Sequence, residues 1–81
     1  MYGEVLRTVR LCAGLSQEEL AFRLNSNQAS ISKYENDRLS LDIAMFIAWL
    51  QLTEAEEVGV ALLYGIDIPT ILEEIIPNLY C

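Results

Sequence analysis

A chain of 81 residues makes one small domain, able to bury about 60 to 65% of the surface of its unfolded chain. Its hydrophobic fraction of 53% supplies a core with some surplus, and with no histidine, two cysteines and four scattered glycines the chain has no metal-ligand set, no activated nucleophile and no phosphate-cradling loop; no metal, no cofactor and no enzyme activity are expected. At a net charge of −7 the chain taken as a whole would repel DNA, but the charge is unevenly placed: all five basic residues lie within residues 1–39 beside five acids, and residues 40–81 hold seven acids and no base.

In chain order, Tyr2, Leu6, Val9 and Ala13 recur at helical spacing and predict a first helix over residues 2–13, stopped by Gly14. On its outer side Arg7 is either free to approach a phosphate or simply solvated. Ser16, three residues ahead of Glu19, forms a capping box that starts a second helix with Leu20, Ala21 and Leu24 buried and Glu18, Glu19, Phe22 and Arg23 facing away. The corner over residues 25–27 needs one residue with positive φ, and Asn25 takes it because its short side chain tolerates the left-handed region. Asn27 then caps a third helix over residues 28–35, with Ile31 and Tyr34 inside. The other face carries Gln28, Ala29, Ser32 and Lys33, with no acid, and is chemically suited to the edges of base pairs. Helix, corner and helix make the outline of a helix-turn-helix.

After Asn36, Ser40 or Asp42 caps a fourth helix running to about residue 51. Ile43, Phe46, Ile47 and Leu50 are assigned to the core, while Met45, Trp49 and Leu41 leave the rest of it apolar. Such a helix is expected to lie between the helix-turn-helix and either the C-terminal segment or a second subunit. Thr53 and Glu56 read as a second capping box, opening a fifth helix through about residue 64 with its acids in the first turn and Gly65 at its end. Asp67 caps and Pro69 begins a short sixth helix over residues 70–76, halted by Pro77. So small a chain is not expected to bury helices four to six by itself. Val58, Leu62, Ile68, Ile71, Leu72 and Ile75 are therefore expected to form a homodimer interface; the alternative is a C-terminal lid that completes a monomer's core. Cys12 and Cys81 are expected to be a surface or half-buried thiol and a frayed tail, the alternative being a disulfide within the chain or across a dimer. The apolar runs over residues 43–50 and 58–66 are shorter than the roughly 18 residues of a membrane helix, and no signal peptide is read at the start, so the expected location is the cytoplasm.

The run LRTVRLCAGLSQEELAFRLNSNQASISKYENDR resembles the helix-turn-helix domain of the phage repressor and Cro superfamily, the xenobiotic-response-element type. The resemblance rests on Gly3, Leu6, Arg10, Gly14-Leu15-Ser16-Gln17, Leu20-Ala21, Leu24, Ser30-Ile31-Ser32 and Glu35-Asn36, and extends more loosely over residues 43–53. It implies an all-α, lambda-repressor-like bundle of five helices with one additional short C-terminal helix. Residues 1–53 would form the DNA-binding domain, and residues 54–81 a helical, dimerising extension of the same compact unit. It implies an Arg10–Glu35 ion pair joining the first helix to the end of the third, and a small Ala21 where the two helices of the motif cross. The implied function is a sequence-specific double-stranded DNA-binding transcriptional regulator, a small dimeric repressor reading a near-palindromic operator in the major groove. Gln28, Ala29, Ser32 and Lys33 would read bases, and Gln17, Asn27, Arg23, Arg38 and Asn36 would hold the DNA backbone. Three features depart from the family pattern: Asn25 where glycine is usual, Asp37 where glycine is frequent, and a shortened segment before Ile43.

A neutral reading head on an acidic rear predicts few phosphate contacts and a shallow salt dependence. The same acidity fits a second reading, a protein-binding module, antirepressor or inhibitor of another regulator, that retains the fold without binding DNA.

Overall fold

In the first half of the chain, helix boundaries sit where local hydrogen bonds put them. The Ser16 hydroxyl accepts from the Glu19 N–H at 3.0 Å and the Glu19 carboxylate accepts from the Ser16 N–H at 3.0 Å, so α2 (Gln17–Arg23) opens on a closed capping box. Gly14, at φ 77°, ends α1 (Gly3–Cys12), and Asn25, at φ 54°, makes the corner before α3 (Gln28–Glu35). The side chain of Asn27 accepts from the Ser30 N–H at 2.9 Å, and that of Asp42 from the Met45 N–H at 2.8 Å, starting α4 (Ile43–Leu52). The computed structural model describes residues 2–79; after α4 come α5 (Glu56–Leu63) and a rod of three consecutive pieces, α6 (Ile68–Thr70), a π-helical turn (Ile71–Ile75) and α7 (Ile76–Leu79). Among the described residues there is no strand, and the architecture is the lambda-repressor-like helical bundle.

Two caps are sensitive to acid. The Ser16 N–H, and then its hydroxyl, hold the Glu19 carboxyl below its ordinary 4.5, while the Thr70 hydroxyl and N–H hold Asp67 below 3.8. A folded-state pKa below the unfolded one gives stability that is present above the unfolded value and lost as pH falls through the folded value. The melting temperature should therefore fall as pH drops below about 4.5, and Glu19→Gln, which keeps the capping geometry, should flatten that decline in thermal melts from pH 7 to pH 3.

One apolar cluster gathers residues from every long helix: Val5, Leu6 and Val9 of α1, Leu20 and Ala21 of α2, Ile31 of α3, Trp49 and Leu50 of α4, Val58 and Ala61 of α5, then Ile71 and Ile76. Trp49 is fully buried, meets Tyr34 edge-on at 6.3 Å between ring centroids, and donates its Nε1–H to the Leu6 carbonyl at 3.2 Å. Leu50 is buried and Phe46 packs against the core as expected, but the rest of the expected inner face of α4 is corrected: Ile43 is 71% and Ile47 49% exposed. The helix is apolar on every side, so its periodicity names no inner face, and the largest side chain takes the core. At the other edge of the bundle Tyr2, 50% exposed, and Ala13 also lie outside the core rather than in it.

Close approach of α1 to the end of α3 depends on Gly3. A Cβ there would fall on the Glu35 carbonyl and stand 2.9 Å from the Tyr34 oxygen. Gly3→Ala must push the helices apart and should cost about 1 to 3 kcal/mol, read by urea denaturation.

The second half departs further from the sequence reading. Thr53 opens no capping box: its hydroxyl donates back to the Trp49 carbonyl at 2.8 Å and the Leu50 carbonyl at 3.3 Å, closing α4. Glu54 takes a positive φ of 54°, and α5 starts after Ala55 with no side-chain cap. Pro77 does not halt the last helix, which continues to Leu79 through the π turn. A widened turn lets the backbone pass a residue that has no N–H to donate, and Asn78 Nδ2 serves the Glu74 carbonyl at 2.6 Å. Val58 and Ile71, expected at a dimer surface, are fully buried within the protomer. Cys12 is half-buried and disulfide-bonded, not a thiol; spacing between two isolated cysteines carries no pairing signal. The chain's other cysteine, Cys81, with the tail and disulfide readings attached to it, lies outside the described residues. No helix among the described residues is long and apolar enough to cross a membrane.

Candidate nucleic-acid interface

The surface carrying α3 is built outward from a buried ion pair. Arg10 Nε donates to Glu35 Oε2 at 2.6 Å and Arg10 Nη2 to Glu35 Oε1 at 3.1 Å, a two-pronged contact, while Arg10 Nη1 reaches the Leu15 carbonyl at 2.9 Å. Glu35 is the only acid in α3, and its side chain is wholly enclosed. The outward face of the helix is therefore free of negative charge for a structural reason.

From that carboxylate two amides lead to the surface. Gln17 Nε2 donates to Glu35 Oε1 at 3.0 Å, and Gln28 Nε2 donates to Gln17 Oε1 at 2.6 Å. A carboxylate only accepts, so Gln17 must turn its nitrogen inward and its oxygen outward; Gln28 in turn must offer Gln17 its nitrogen. The buried charge thereby orients the exposed amide of Gln28. Among the described residues nothing else bonds the Gln28 amide, which leaves one N–H and the oxygen, the donor and acceptor that a bidentate contact with adenine requires.

At the far end of α3, Asn36 Nδ2 donates to the Ser32 carbonyl at 2.8 Å and lies 3.4 Å from the Ser32 hydroxyl, while its oxygen accepts from Arg7 Nη2 at 3.1 Å. Arg7 also stands 3.7 Å from Glu35, so it is tied to the end of the helix instead of being free or merely solvated. Ala29 and Lys33 are exposed, Asn27 caps the helix, and exposed Arg38 follows it, its N–H on the Lys33 carbonyl at 2.8 Å. Arg23 stands apart. It borders hollows shared with Leu15, Leu52 and Met45 beside α4, which no residue of α3 lines. The fold thus joins Gln17, Gln28, Ser32 and Asn36 in one bonded surface, adds Arg7 to it and leaves Arg23 outside. Residue spacing carries no signal for the Gln28–Gln17 or Arg7–Asn36 bonds, which join positions far apart in the chain.

A helix-turn-helix family model matches residues 6–60, which include α2, α3 and α4 complete. The chain belongs to the helix-turn-helix family of Cro and phage-repressor type. No curated protein matches it. This helix-turn-helix family is one of DNA-binding regulators, and the match ends within α5, before the C-terminal rod. The two helices of the helix-turn-helix are α2 and α3, and they share the core through buried Leu20 and Ala21 of the first and Ile31 of the second.

Proposed function

We propose that this helix-turn-helix protein is a sequence-specific double-stranded DNA-binding transcription regulator that lays α3 in the major groove. The observation that carries this reading is the Gln28 amide, held by the Gln17–Glu35–Arg10 chain with a donor and an acceptor free. Gln28 selects adenine, Ala29 packs on a thymine methyl, Ser32 serves base edge or backbone, and Lys33 reaches guanine acceptors or a phosphate. Gln17, Asn27, Asn36 and Arg38 position the domain on the backbone, with Arg23 contributing only where the duplex curves toward α4.

Gln28→Ala should relax discrimination at one base pair by about 1 to 3 kcal/mol and leave the fold intact, as read by selection of bound duplexes from a random pool and titration of single-position variants. The protein acts as a homodimer on a near-palindrome with half-sites about 34 Å apart, repressing by occupancy. Ile68, Leu72 and Ile75, partly exposed on the C-terminal rod, supply the pairing surface that Val58 and Ile71 cannot. A monomer by light scattering at micromolar concentration would remove the dimer from this reading. The acidic rear favours the second reading, a module that docks on another regulator without DNA. Titration with random duplex at low salt separates the two, because a DNA reader binds weakly there and a converted module does not.

A further inference from the structure

Between α4 and α5 runs an open apolar trough of about 370 Å³, and a second hollow of about 290 Å³ adjoins it through Ile43, Phe46 and Leu62. Its rims are Ile43 and Ile47 on α4 and Val60 and Leu63 on α5, and Leu63 is 88% exposed. Gly59 lets the helices approach closely at the floor, where an added Cβ would stand 3.1 Å from Leu50 Cδ1. Among the described residues, the charged side chains lining the two hollows are Asp42 toward one end and Glu56 toward the other, with no base. Around them the whole of residues 40–81 supplies acids only.

We infer that this trough docks an amphipathic, basic helix of another protein. A groove between two packed helices accepts the side-chain ridge of a third, and this floor requires an apolar stripe at i, i+3 or i+4, and i+7. The ten residues of α4 span about 15 Å, so the occupant is a helix of about three turns. Lysine or arginine flanking the stripe meets Asp42 and Glu56. Residues 40–81, which build both helices of the trough, hold acids and no base, so a second copy presenting the same two helices would oppose acid with acid, and charge complementarity selects a basic partner. No residue of α2 or α3 lines the trough, so the inference stands independently of the DNA reading.

The test uses the full chain and two labelled, amidated helical peptides of about 14 residues, identical in their leucine stripe, one with lysine and one with glutamate on the flanks. By fluorescence anisotropy the lysine peptide should bind at least about tenfold more tightly than the glutamate peptide. Ile43→Ser and Leu63→Ser, both at exposed positions, should weaken the lysine peptide by about tenfold with unchanged thermal melts, while Gln28→Ala leaves it unaffected. Equal binding of the two peptides, no binding of either, or lysine-peptide binding untouched by both serine substitutions would overturn the inference. So would light scattering in which those two substitutions dissolve a homodimer, since the occupant is then a second copy.

Discussion

Glu35→Ala should lower the unfolding free energy by about 3 to 5 kcal/mol, because it leaves the Arg10 guanidinium buried without its partner. A domain of this length has roughly 4 to 12 kcal/mol in all, so the variant should sit at the edge of folding, with a urea midpoint shifted far down when followed by circular dichroism. A loss under about 1 kcal/mol would mean that the pair is effectively solvated. Replacing both partners, Arg10→Met with Glu35→Leu, should restore most of the stability, since apolar groups of similar volume commonly match a buried ion pair. That double variant separates stability from reading. Gln17 has lost the acceptor that sets its amide, so Gln28 is no longer oriented and base discrimination should fall although the fold stands.

Trp49→Ala should cost about 3 to 5 kcal/mol, the range for emptying a large aromatic site in a core that relaxes only partly. Trp49→Phe should cost less, combining the lost bond from Nε1 to the Leu6 carbonyl, about 1 kcal/mol, with a smaller cavity. Both are read by far-ultraviolet circular dichroism, as the chain holds no other tryptophan to report by fluorescence. Ile43→Ser and Ile47→Ser, on the same helix, should stay within about 0.5 kcal/mol of the parent. Large losses at those two positions and a small one at Trp49 would restore the orientation that the amino-acid pattern suggested and contradict the packing described above.

The family, the helical class and most helix starts are legible in the amino-acid order because each depends on residues a few positions apart. Ser16 with Glu19, Asn27 with Ser30, Asp42 with Met45 and Asp67 with Thr70 each bond across three residues, and the positive φ of Asn25 is a property of that residue and its neighbours. Tertiary structure decided the rest. Which side of α4 faces inward was settled by the fit of Trp49 between α1 and Tyr34, as a helix apolar all round has no preferred face. The Thr53 hydroxyl had two possible helices to serve, and packing of Trp49 and Leu50 gave it to α4. The orientation of Gln28 is set through Gln17 by a carboxylate that only the crossing of α1, α2 and α3 buries. Local hydrogen bonds leave their signature in short spacings, whereas the face a helix buries and the direction an amide points depend on what the rest of the chain brings against them.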